Sequence, residues 1–175
     1  RMRLNEHNVT IVTEEAIIKA KENNLFKINS GDETYEAKNI LICTGSETII
    51  PPIEGIKETD YWTSKEALDN KELPESLAII GGGVIGIEFA SFFNSLGVKV
   101  SVIEMMPEIL GVMDKELSTM LRSEYEKKGI SFYLNTKVTK TSNSGVTIEN
   151  NGESQVINAD KILVSVGRKP NTLNI

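Results

Sequence analysis

Ser76-Leu-Ala-Ile-Ile-Gly81-Gly82-Gly83-Val84-Ile85-Gly86-Ile87-Glu88 is the stretch on which the fold of this chain turns. Leu77 to Ile80 is a short apolar run of the buried-strand type, and from Val84 to Leu96 the apolar residues recur at helical spacing. Val98 to Ile103 is a second apolar strand, and Glu104 ends it about 20 residues beyond the glycines. Strand, glycine turn, helix start, second strand and terminal acid, in that order, make the βαβ fingerprint of a dinucleotide site. A bare G-x-G-x-x-G is weak evidence, because glycines cluster in many turns. Here the flanking strands, the helix and the acid all stand where the fingerprint needs them.

Each position has a physical role in that reading. Gly81 allows the sharp exit from strand to helix, and Gly83 lacks the Cβ that would keep a pyrophosphate away; Gly82 between them is counted with the cofactor-binding glycines, with a plain turn residue as the alternative. Val84 and Ile85 open a helix whose unpaired N–H groups and positive dipole end suit phosphates, and Gly86 lets that helix pack closely on the strand. No basic side chain occurs between Leu77 and Leu96. Glu104 is the specificity residue. Its carboxylate accepts hydrogen bonds from adenosine ribose hydroxyls and repels a 2′-phosphate, by up to about 4 kcal/mol at 4 Å and an effective dielectric near 20. Met105, Met106 and Pro107 follow it and bring no arginine. NAD is therefore expected over NADP. The competing reading of Glu104 is a solvated strand end.

The chain has 175 residues, enough for one core of about 100–150 residues with additions. Hydrophobic residues make up 39% and charged residues 25%, ordinary proportions for a soluble globular chain. The net charge of −6 and a pI near 5.0 argue against nucleic acid and anionic membranes as partners. No apolar run approaches the length of a membrane span, and no signal-peptide pattern opens the chain. One cysteine rules out an internal disulfide and fits a cytoplasmic location. A start at Arg1 rather than methionine, in what reads as the end of a preceding element, leads to the expectation of a fragment.

Outward from the glycine stretch, the expected fold class is α/β: a Rossmann-like parallel βαβαβ sheet with an antiparallel meander. Ile85, Phe89, Phe92 or Phe93, and Leu96 are expected on one helix face, with Gly97 as the residue past its end. Asp114 is the N-cap candidate of the next helix, Leu117, Leu121 and Tyr125 its core face, and Gly129 its close. Ile130 to Leu134 is a third strand. Lys137–Lys140, Gly145–Glu149 and Ser154–Ile157 form the meander, turning at Asn151-Gly152. Ile162 to Val166 is a last apolar strand. Upstream, Val9–Val12 and Ala16–Lys21 read as strands, Leu25–Ile28 and Glu33–Ala37 as a hairpin, and Ile40–Ile42 as a buried strand that holds Cys43 as a small buried hydrophobe. Residues 51–72 read as a linker with one short helix, its capping box Thr63-Ser64-Lys65-Glu66 preceded by a core-packed Trp62.

Ile42-Cys43-Thr44-Gly45-Ser46-Glu47, Pro51-Pro52, Thr63 to Leu68, Leu73-Pro74, Gly81 to Ala90, Asn135-Thr136-Lys137-Val138 and Val166-Gly167-Arg168-Lys169-Pro170-Asn171 follow one another as they do in the flavin-dependent pyridine nucleotide–disulfide oxidoreductases. The chain resembles that family over nearly its whole length, and within it the dihydrolipoyl dehydrogenase branch. The resemblance implies part of an FAD-binding domain at 1–50, the linker at 51–72, an NAD-binding domain at 73–167 and a return to the FAD-binding domain at 168–175. It implies that Thr44, Gly45 and Ser46 lie along the FAD, against the alternative of an ordinary strand exit. Ala16 would meet the adenine end of FAD through its backbone, or would simply start a strand. Val138 would line the NAD adenine pocket, with plain core packing as the alternative, and Gly167 would lie near the nicotinamide. Glu88 would sit toward the nicotinamide end and pair with a lysine absent from this chain, or be a solvated helix glutamate. Gly86 stands where many NADP-binding relatives have alanine.

The implied parent reaction oxidises dihydrolipoamide and reduces NAD⁺, through a redox disulfide and FAD. The implied parent is a homodimer, with the remaining FAD and dimerisation domains as partners and a 2-oxo acid dehydrogenase complex as a further one. The family's first FAD glycine fingerprint, its C-x-x-x-x-C pair and its His-Glu pair do not occur here. Cys43 and His7 are single, so no catalytic residue and no metal site is expected. The chain alone is expected to bind NAD(H) weakly, to hold FAD poorly and to catalyse nothing. A fragment of another NAD(P)H-dependent disulfide reductase or of a mercuric-type reductase is the nearest alternative, and a non-catalytic NAD-binding regulatory module is one of a different class.

Overall fold

A computed structural model describes His7 and residues 9–173. Residues 1–6, where the sequence suggests the end of a preceding element, lie outside the described residues. The chain divides into two compact units, one of Arg1–Ser46 with Pro170–Ile175 and one of Glu47–Lys169.

In the first unit β1 (Ala16–Glu22), β2 (Leu25–Ser30) and β3 (Glu33–Ala37) form an antiparallel sheet in chain order. Asn23 and Asn24 take left-handed φ values of 49° and 64° at the first turn, and Gly31 takes 58° at the second. Two sequence expectations fail here. Val9–Val12 forms no strand, and Ile40–Ile42 forms none either. No described strand lies in a ladder with either run, so nothing turns their side chains inward, and Leu41 is 88% exposed. Cys43, expected to be buried in that strand, is exposed with it. Beyond them β4 (Ser46–Thr48) pairs with β13 (Arg168–Pro170).

The second unit is built on a parallel sheet. Its strands are β5 (Tyr61–Trp62), β6 (Ser76–Ile80), β7 (Lys99–Ile103), β8 (Ser131–Tyr133) and β12 (Lys161–Val164), in the order β5-β12-β6-β7-β8. Side chains alternate across each strand and so feed two separate cores. Leu77, Ile79, Val100, Val102 and Leu163 face the helices α1 (Ser64–Asp69), α2 (Val84–Ser95) and α3 (Lys115–Lys127). Ala78, Ile80, Ile103, Ile162 and Val164 face the antiparallel meander of β9 (Lys137–Ser142), β10 (Gly145–Asn150) and β11 (Glu153–Asn158). Residues 51–72, expected as a linker, also supply a short 3-10 turn at Ile56–Glu58 and the edge strand β5.

Local signals set the ends of the helices. Thr63 caps α1: its hydroxyl accepts the Lys65 N–H at 3.3 Å, and Glu66 reaches back to the Thr63 N–H at 2.8 Å. Asp114 caps α3 by accepting from the Glu116 and Leu117 N–H groups. Gly97 and Gly129 follow α2 and α3 with φ values of 86° and 92°. The inner face of α2 follows expectation at Phe89, which packs on the core, and at Phe93, one of the two phenylalanines offered, but not at Leu96. Gly86, Ile87, Ala90 and Phe93 are buried, while Phe92 is 55% exposed and Leu96 also faces out. The helix is apolar nearly all round, so periodicity does not fix its phase. The small residues Gly86 and Ala90 do, because they let its backbone come close to the sheet. On α3, Leu117 is exposed, whereas Ser118 is buried and Leu121 and Tyr125 pack against the core. The Asp114 cap and the Arg122 contacts described below set that phase.

Candidate functional site

The carboxyl ends of β6 and β12 lie side by side where the strand order reverses, the place at which open α/β sheets bind ligands. Gly81 makes the exit from β6. Its N–H donates to Ile103 O at 2.9 Å, and its φ of 108° is in the glycine region. A Cβ at Gly81 would stand 2.6 Å from Ser165 O, and one at Gly86 would stand 2.1 Å from Gly81 O. Ser165, just past β12, seals this junction: its hydroxyl donates to Ile80 O and Gly81 O at 3.2 and 3.1 Å. Gly83 differs from both, since a Cβ there would meet nothing within 4 Å. It is the N-cap of α2 and offers no side chain to the first N–H groups of the helix.

Glu104 is half-buried at the end of β7. Oε2 accepts the Gly82 N–H at 2.6 Å and Oε1 accepts the Met106 N–H at 2.8 Å. A carboxylate has about four lone-pair sites, so two remain for hydroxyl donors. The backbone around it is zipped to the start of the meander, with the Thr136 N–H on Glu104 O at 3.0 Å and the Asn135 N–H on Met106 O at 3.1 Å. That brings Val138, 5% exposed, to the same place.

These groups open onto one cavity of about 960 Å³. Of the residues singled out in the sequence, Gly81, Gly83, Val84, Ile85, Glu104, Val138 and Gly167 line it. Gly82 and Gly86 lie behind the lining, Gly82 against Glu104 and Ile109, Gly86 against Gly81 and Ser165. Glu88 is exposed on α2 and does not line the cavity. Thr44, Gly45, Ser46 and Ala16 belong to the first unit and are exposed. There Asn171 donates its backbone N–H to Gly45 O at 3.0 Å and its side-chain amide to Thr44 O at 3.2 Å. Sequence reading missed Pro51, Pro52, Ile53, Thr136, Lys137, Ser165 and Arg168, which also line the cavity, together with strand-end and loop residues such as Ile80, Met105, Met106 and Val166. Ser165 lay inside the apolar run read as the last strand, but β12 ends one residue before it, and the prolines are distant in sequence from the glycine turn. No group of metal-ligating side chains occurs among the described residues.

The loop from Glu104 to Asp114 is tied to α3 by Glu108. Arg122 donates Nε to Glu108 Oε1 at 2.9 Å and Nη2 to Oε2 at 3.2 Å, and Thr119 adds a bond to Oε2 at 3.0 Å. Burial pushes the Glu108 carboxyl up, but the bonds from Arg122, the Ile109 N–H and Thr119 outweigh it and hold the group below its ordinary range.

The whole chain, residues 1–175, matches the family described as pyridine nucleotide-disulphide oxidoreductase. The chain belongs to that family. Such oxidoreductases combine FAD with NAD(P)H. Among curated relatives, the dihydrolipoyl dehydrogenase of Acholeplasma laidlawii is 41% identical over 80% of this chain and 43% of its own length. That of Bacillus subtilis is 44% identical over 77% of this chain and 30% of its own. The mercuric reductase of Staphylococcus aureus is 36% identical over 83% of this chain and 27% of its own. The chain thus spans less than half the length of these relatives. A solved Cu(II) complex of the HOCl-induced flavoprotein disulfide reductase RclA from Escherichia coli superposes with a TM-score of 0.78 at 28% identity, over 95% of this chain and 38% of the other.

Proposed function

We propose that this oxidoreductase chain carries the NAD(H) site of a flavoprotein whose full reaction is the oxidation of dihydrolipoamide. The observation that carries the reading is the pairing of Glu104 with the glycine turn: an acid with spare acceptor sites, bonded to the Gly82 N–H, beside a Gly83 whose outer side is open. The residues fit a dinucleotide. The free N–H groups at the start of α2 would take the diphosphate, with Gly83 allowing close approach. Glu104 would accept the adenosine ribose hydroxyls, Val138 would pack on the adenine, and Gly167 would border the nicotinamide. A bound nicotinamide would supply hydride chemistry toward a flavin. The part left to this chain is to hold, orient and keep water from that ligand. Thr44, Gly45, Ser46 and Ala16 are the residues that would meet FAD.

The test is a calorimetric titration with NADH and with NADPH at matched salt. The reading expects NADH to bind at least about tenfold more tightly, roughly 1.4 kcal/mol. Equal or tighter binding of NADPH would remove Glu104 as the selector. The mercuric reductase relative supports a second reading, in which the parent reduces Hg(II). Assay of the complete protein with dihydrolipoamide and with Hg(II) separates the two.

A further inference from the structure

Gly82 is gripped from both sides by one loop. Its N–H donates to Glu104 at 2.6 Å, and its carbonyl accepts the Leu110 N–H at 2.9 Å. The loop presses as closely as its bonds suggest, since a Cβ at Gly82 would stand 3.2 Å from Ile109 Cγ2. The loop is irregular from Glu104 to Asp114 and holds Leu110 at a φ of 52°, a left-handed conformation unfavourable to a non-glycine residue. Arg122, half-way along α3, reaches this loop through a two-point grip on Glu108, whose side chain is only 12% exposed. Arg122 lines no part of the cavity.

We propose that Arg122 is a positioning residue for the nucleotide site: by holding Glu108 it sets the loop that fixes both peptide groups of Gly82 and aims the Glu104 carboxylate. This rests on the NAD(H) reading above. A guanidinium is required, because only its planar fork meets both carboxylate oxygens, and a lysine would make a single bond.

The experiment is amide hydrogen exchange and NADH calorimetry on the chain and on Arg122→Ala, Arg122→Lys and Glu126→Ala. Glu126 bonds only the outer side of Arg122, at 2.7 Å, and serves as control. Expected in Arg122→Ala is faster exchange at Gly82, with the amide of Ala78 in β6 unchanged, and NADH affinity lower by roughly 2- to 30-fold. Arg122→Lys should fall between, and Glu126→Ala should match the parent chain. If Arg122→Ala does not fold, Arg122→Lys carries the same comparison. Unchanged Gly82 exchange, or Gly82 and Ala78 rising together as in a global loss of stability, would overturn the proposal. Absence of NADH binding by the unaltered chain would instead sink the nucleotide reading, while Gly82 exchange would still decide the clamp.

Discussion

Gly83 and Gly86 stand three positions apart in one motif, and their surroundings give them opposite tolerances. Gly86→Ala drives a methyl into Gly81 O and the Ser165 hydroxyl, so a loss of about 1–3 kcal/mol is expected, read as a lower urea midpoint. Gly83→Ala meets open space at a φ of −73°, so stability should stay within about 0.5 kcal/mol while NADH affinity drops. If both variants bind NADH as the parent does, the open side of Gly83 does not face the ligand. Glu104→Ala removes the acceptor from the Gly82 N–H, a buried donor. It should cost about 1–3 kcal/mol of stability in addition to any loss of NADH binding.

At the scale of elements, two carboxylates make the fold sensitive to acid. Hydrogen bonds from the Thr63 hydroxyl and N–H hold Glu66 of the α1 capping box below its ordinary value of 4.5, and Glu108 in its clamp is also held below it. Each is more acidic folded than unfolded. Each therefore contributes stability that is fully present above the unfolded value and is lost as pH falls through the lower folded one. Urea midpoints measured from pH 6 downward should fall, and Glu108→Gln should flatten that fall. An unchanged slope in the variant would show that Glu108 is not the group responsible. The elements also show what sequence can and cannot give. β6, α2, β7 and the Asn151-Gly152 turn were legible because their signals are local: an apolar run, a glycine turn, a terminal acid, two left-handed residues. The phase of α2 was not, because Phe92 and Phe93 are equally apolar and only the nearness of the sheet to Gly86 and Ala90 chooses between them. Ile40–Ile42 looked like a strand because apolarity marks a strand only when a neighbour completes the ladder. In the site, Glu104 was legible from its spacing, but Pro51, Lys137 and Arg168 arrive through tertiary folding of separate segments.

For the whole molecule, the division into two units predicts where it is weakest. Residues 39–45 carry no regular structure and are exposed apart from Ile40 at their start, which makes them the expected site of first proteolytic nicking. Limited proteolysis read by mass spectrometry should cut there before any cut falls within the parallel sheet. An earlier cut inside β6, β7 or β12 would contradict the picture of a well-packed second unit.

Trp62 turns that division into something that can be watched. It is the only tryptophan in the sequence, 7% exposed, and stacked on Phe93 with ring centroids 6.0 Å apart. Its emission therefore comes entirely from the Glu47–Lys169 unit and reports the docking of α2 on the sheet. A spectrum that starts blue and shifts red on denaturation marks the melting of that unit and is blind to the other. The fold thus contains its own optical label, and the stability of the second unit can be followed in the intact chain without attaching a dye.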